Sequence, residues 1–144
     1  MFMTAKQFVD TNILVYAHDT SDKSKHATAR DLIGALWESN SGVISTQVVQ
    51  ELYVNIIKKT TRPLKPKQAQ RFISDYLRWE VVVNTGDSIV QAFDIEDRYR
   101  ISFWDALIVQ AANSAGAEIL YSEDLNHEQN YDGVQVLNPF LGHC

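Results

Sequence analysis

Four acidic residues carry the chemistry this sequence offers: Asp10 in Phe-Val-Asp-Thr-Asn, Glu51 in Val-Val-Gln-Glu-Leu, Asp105 in Ser-Phe-Trp-Asp-Ala and Asp124 in Tyr-Ser-Glu-Asp-Leu. They are far apart in the chain, yet each falls where a strand or helix signal predicts the same edge of one sheet. Carboxylates gathered in one pocket repel one another unless a cation sits among them. Oxygen ligands without Cys or His favour hard ions such as Mg²⁺ or Mn²⁺. Such an ion in an open site supports phosphodiester hydrolysis.

The elements that would position these acids can be read from periodicity and capping. Residues 7–10 predict a short buried strand, stopped by Thr11-Asn12 and followed by the apolar run 13–17. Apolar residues recur at helical spacing over 24–37, and Asn40-Ser41-Gly42 ends that helix. A second strand covers 42–45, and Thr46 is placed to cap a helix reaching about Lys59. After a stiff loop with Pro63 and Pro66, a helix is expected over 67–77 and a β-branched third strand over 80–83. Asp87 is placed to cap a helix over 88–99, and Ser102 to begin one that carries Asp105 and stops at Gly116. Residues 117–121 and 134–137 predict the fourth and fifth strands. The alternation implies an α/β fold, a three-layer α/β/α arrangement with a mostly parallel sheet of about five strands, in one domain over 1–144.

Ligands of such sheets bind outside the carboxyl ends of the strands. Asp10 closes the first strand, Asp124 follows the fourth, Glu51 lies one turn into the helix after the second, and Asp105 lies in the first turn of its helix. Each acid also has a purely structural use. Asp10 suits an Asx turn, Ser102 to Asp105 suits a capping box, Asp124 suits a turn, and Glu51 could pair with Lys58 or Asn55. Their joint occurrence at one edge favours a shared site.

Net charge is −5 and the pI about 5.2, which taken alone disfavours a polyanionic partner. The distribution is uneven. Lys58, Lys59, Arg62, Lys65, Lys67, Arg71 and Arg78 face a single acid, Asp75, so this segment is locally about +6. It reads either as a solvated surface or as a phosphate-gripping edge beside an acidic cleft. No apolar run approaches the roughly 18 residues of a membrane span, so no membrane partner and a cytoplasmic location are expected. The only cysteine is Cys144, which excludes an intrachain disulfide.

Phe-Val-Asp-Thr-Asn-Ile-Leu-Val-Tyr-Ala resembles the opening motif of PIN-domain ribonucleases. Ile-Ser-Thr-Gln-Val-Val-Gln-Glu-Leu, Ser-Phe-Trp-Asp-Ala-Leu-Ile-Val and Leu-Tyr-Ser-Glu-Asp-Leu are similar to their second, third and fourth motifs, in order, and Val-Gln-Val-Leu-Asn-Pro-Phe resembles the close of bacterial members. Size and motif content resemble VapC-type toxins of toxin–antitoxin pairs. The resemblance implies metal ligation chiefly by Asp10 and Asp105, with Glu51 and Asp124 completing the cluster, and Asn12 with Thr46 (or Ser45) lining the site. Glu123, Asp132 and Asn130 compete with Asp124 for the fourth position. It further implies an RNA substrate, a small antitoxin partner and a homodimer.

On this reading Glu51 or Asp124 holds and deprotonates the attacking water, or helps seat a second ion, and hydrolysis leaves a 5′-phosphate and a 3′-hydroxyl. None of the four motifs contains His; only His127, close to Asp124, stands near enough to merit a test. A phosphatase with a nucleophilic strand-end Asp is disfavoured because Asn12 occupies its second acidic position. A non-catalytic PIN-like binding module and a structure-specific DNA nuclease also fit the motifs.

Overall fold

A computed structural model describes residues 5–141. Among these, six strands and six helices follow one another as β1 (Gln7–Val9), α1 (Thr11–His18), α2 (Lys23–Ser39), β2 (Gly42–Ser45), α3 (Thr46–Lys58), α4 (Pro66–Tyr76), β3 (Glu80–Val82), α5 (Gly86–Tyr99), α6 (Phe103–Ser114), β4 (Ile119–Tyr121), β5 (Asn130–Tyr131) and β6 (Val134–Leu137). The sheet order is β3-β2-β1-β4-β6-β5. All pairings are parallel except that of β5 with β6. Phe8, Val9, Val43, Ile44, Leu120 and Val136 are almost fully buried, as expected where a parallel sheet is covered on both faces.

From β1 the chain steps outward through β2 to β3, then crosses back to place β4 on the other side of β1. Right-handed crossovers in opposite directions put the intervening helices on opposite faces of the sheet. Accordingly α1 packs on α2 and α3, and α3 on α4, while α5 packs on α6. Helix α6 lies across β2, β4 and β6, with every residue from Ala106 to Ala112 buried. The small side chains of Ala106, Ala111 and Ala112 let it sit close to the strands. The reversal of direction between β1 and β4 opens a crevice at their carboxyl ends.

The expected five strands become six, because Asn130–Tyr131 pairs antiparallel with β6. A two-residue turn at Asp132 (φ 54°) and Gly133 (φ 95°) closes that hairpin, the left-handed geometry that Asp-Gly favours. Two expected caps shift by a residue or two. Ser45, rather than Thr46, accepts the Val48 N–H at 3.3 Å to open α3, and Thr85, rather than Asp87, caps α5 through the Ser88 N–H at 3.2 Å. The apolar run 13–17 belongs to α1, whose cap is Asp10 itself.

Gly42 opens β2 against the Trp79 indole, where an added Cβ would meet ring carbons at 2.5–2.8 Å. That indole is locked edge-on against Trp37 and Tyr76. Gly42→Ala is therefore expected to destabilise the fold by about 1–3 kcal/mol through overpacking, read as a lower denaturant midpoint at unchanged m-value.

Candidate metal centre

The crevice between β1 and β4 is where the acids meet. Asp10 follows β1 directly and is 5% exposed. Its Oδ1 accepts the Thr11 N–H at 2.7 Å and its Oδ2 the Ser122 hydroxyl at 2.9 Å. Asp124, beyond β4, receives the Asn12 amide on Oδ2 at 2.9 Å and donates its backbone N–H to Ser122 Oγ at 3.1 Å. The fully buried Ser122 thus ties the two acids together. Asp105 stands in the first turn of α6, its N–H donated to the Ser102 hydroxyl at 3.1 Å. One carboxylate oxygen from each of Asp10, Asp105 and Asp124 lies within 4.8 Å of the others.

Glu51 enters from α3 into the same cleft wall. Its Oε1 accepts the buried Thr11 hydroxyl at 2.9 Å, while its backbone carbonyl accepts the Asn55 amide at 2.7 Å. It stands beside the aspartate trio rather than within it. Asn12 also forms part of the wall. Thr46 does not, since its hydroxyl accepts the Asn84 N–H at 3.2 Å and anchors the connection after β3. The cleft is small, about 90 Å³. A roomier hollow of about 410 Å³ between α1, α2 and α4 is lined by His18, Trp37, Phe72 and Tyr76, and it holds no cluster of acids.

The rivals for the fourth acidic place are engaged elsewhere. Glu123 forms an ion pair with Lys25 and accepts the Tyr16 hydroxyl at 3.2 Å. Asp132 is gripped by Arg98 and by the Tyr99 hydroxyl, and the guanidinium holds its carboxyl down at about 2. Asn130 accepts the Gly133 N–H within the hairpin turn. His127 accepts the Asn138 N–H at 3.0 Å and stabilises a loop. Residues that the motifs flank but that periodicity does not flag also form the cleft wall or brace it: Thr11, Gln47, Trp104 and Ser122.

Burial, more than any neighbour, pushes the Asp10 carboxyl up from the usual range to about 7. Hydrogen bonds from Ser122 and Thr11 oppose this, and the charges of Asp124 and Asp105 add to it. Asp124 is raised as well, by desolvation first and then by Asp105 and Glu123. Three crowded carboxylates, two of them disfavoured as anions, form a donor set that a hard divalent cation would neutralise and that suits its preference for oxygen. The N-termini of α1 and α6 also converge here and contribute partial positive charge.

The PIN domain model matches residues 8–132, which spans all four acids. The chain belongs to the PIN domain family. Its fold is shared with VapC20 of Mycobacterium tuberculosis, a sarcin-ricin-loop-cleaving toxin, at 22% identity and TM-score 0.62 over 83% of this chain and 90% of that one. A toxin–antitoxin complex from Klebsiella pneumoniae is similar at 20% identity and TM-score 0.67, covering 93% and 98%. DNA-bound VapBC from Salmonella typhimurium is similar at 18% and 0.64, covering 92% and 97%. No curated protein sequence gives a significant match to the chain. In this PIN domain, among the described residues, no helix is long and apolar enough to cross a membrane.

Without divalent cations, folded Asp10 holds a proton that the unfolded chain releases near pH 4. The native state therefore binds more protons between about pH 4 and 7, and stability falls as pH rises through that window, by a few kcal/mol. Melting temperatures in EDTA are expected to decline from pH 4.5 to 7.5, less steeply in Asp10→Asn. Ser122→Ala, which removes a bond that lowers the Asp10 pKa, extends the decline to higher pH.

Proposed function

We propose that this PIN domain is a divalent-cation-dependent endoribonuclease, the toxin of a toxin–antitoxin pair, acting in the cytoplasm. The observation that carries the reading is the convergence of Asp10, Asp105 and Asp124 on one point at the crevice of the sheet. Asp10 and Asp105, with Asp124, hold Mg²⁺ or Mn²⁺. A bound cation supplies charge to polarise the phosphoryl oxygen and stabilise the leaving 3′-oxygen.

The chain's own residues do the rest. Glu51, oriented by the Thr11 hydroxyl, aligns the attacking water and takes its proton. Asn12 keeps Asp124 turned into the cleft. Thr46 acts on substrate only through the connection it anchors. Water attack forms a new P–O bond and breaks the bond from phosphorus to the 3′-oxygen, which takes up a proton from solvent, leaving a 5′-phosphate and a 3′-hydroxyl. The segment from Lys58 to Arg78 supports a polyanionic substrate: none of its seven cations forms an ion pair among the described residues, so they stand free to meet phosphates. The toxin–antitoxin complexes that share the fold support an antitoxin as partner, and a homodimer is part of the same proposal.

Cleavage of labelled RNA and DNA side by side tests this. RNA is expected to be cut with Mg²⁺ or Mn²⁺ and spared in EDTA. Asp10→Asn and Asp105→Asn are expected to lose activity by roughly 100-fold or more. Activity that persists in EDTA, or in both variants, contradicts the reading, and cleavage of DNA in preference to RNA redirects it to a DNA nuclease. Mn²⁺ is also expected to raise the melting temperature more at pH 7.5 than at pH 5.5, because cation and proton compete for Asp10. No Mn²⁺ response at either pH points to a binding module instead.

A further inference from the structure

Trp104 is 63% exposed, an unusual position for a side chain that ordinarily buries most of its large apolar surface. It immediately precedes Asp105 in the first turn of α6 and forms part of the same cleft wall as the aspartates. Its one aromatic neighbour among the described residues is Phe103, at 5.4 Å and 71°, so no ring lies parallel on the indole. Its backbone is nevertheless held in place. Ser102 caps the turn, and the Trp104 carbonyl accepts the Gln47 amide at 3.4 Å. Gln47 is itself 7% exposed, and its Oε1 has no partner among the described residues. The cleft wall thus contains an uncovered aromatic platform and, next to it, a buried acceptor awaiting a donor.

We propose that Trp104 is the stacking platform for a nucleobase adjoining the scissile phosphate, with Gln47 as the positioning residue that holds it beside the aspartates. This rests on the ribonuclease reading above. A phosphate at the aspartate trio carries its flanking bases past the next side chain along α6, which is Trp104. Indole stacking accepts any base, since each presents a π-face, so the platform contributes grip and register rather than sequence choice. The exposed Phe93 and Val90 of α5 could instead continue the surface into a protein interface. Phe93, however, contacts Phe103 rather than Trp104, and it is Trp104 that borders the acids.

The test is steady-state cleavage of a labelled single-stranded RNA by wild type, Trp104→Phe and Trp104→Ala. It is repeated on an RNA made abasic on either side of the mapped cut. Trp104→Ala is expected to raise KM on the order of 10- to 100-fold with a much smaller change in kcat, and Trp104→Phe to recover most of the loss. Abasic RNA is expected to show the same raised KM with wild type and no further loss with Trp104→Ala. The Mn²⁺-induced rise in melting temperature is expected to be equal in all three proteins. An unchanged KM in Trp104→Ala overturns the proposal, as does an abasic penalty that persists in that variant. A change in sedimenting mass in Trp104→Ala overturns it in favour of a protein interface. If wild type cleaves but Trp104→Ala matches it, only the stacking proposal falls; if wild type cleaves no RNA, the ribonuclease reading falls and takes stacking with it.

Discussion

Three carboxylates crowd the notch where the chain reverses direction across its sheet, and one of them is shut away from water. Between full charges at such separations, repulsion runs from roughly 1 kcal/mol in bulk water to a few kcal/mol near a protein surface. Burial of Asp10 adds a desolvation cost that its hydrogen bonds only partly offset. Two responses relieve the strain: Asp10 keeps a proton, or a cation takes the proton's place. The first fits the raised carboxyl of Asp10 below neutrality, and the second is the state that the proposed hydrolysis requires. The same arrangement thus links stability, pH and cation binding.

The surrounding fold makes this arrangement reproducible. Asp10 serves as the cap of α1, and Asp105 sits in a turn capped by Ser102, so the local structural uses of these acids and their proposed use as ligands coincide. A capped helix start fixes the backbone from which each carboxylate projects and brings partial positive charge toward it. Ser122 and Asn12 then lock Asp10 and Asp124 across the gap between β1 and β4. Thr11 does the same for Glu51 from α3. Each contact joins segments tens of residues apart, so the site exists only when the whole sheet is assembled.

That division explains what could be read from the chain. Asp10 and Asp105 are announced by local signals, a strand that ends in acid and a hydroxyl three residues before an acid at a helix start. Ser45 and Thr46 both carry a capping hydroxyl, and which one caps is decided by how far β2 runs on. The two-residue β5 is too short for any periodicity to reveal, although Asp132-Gly133 is a hairpin signal. The choice between Asp124, Glu123 and Asp132 could not be made locally. Lys25 takes Glu123 and Arg98 takes Asp132, and those partners lie 98 and 34 residues away. Ser122, Thr11 and Trp104 were present in the motifs, but their roles depend on neighbours that only the folded chain brings near.

The most direct measurement is anomalous diffraction from a crystal of the protein soaked in Mn²⁺ near pH 7.5. A single strong manganese peak bounded by carboxylate oxygens of Asp10, Asp105 and Asp124, and lost in a crystal equilibrated near pH 5, is the expected result. A well-diffracting crystal with no peak in that notch, or with manganese only at other acidic surfaces, would contradict the account.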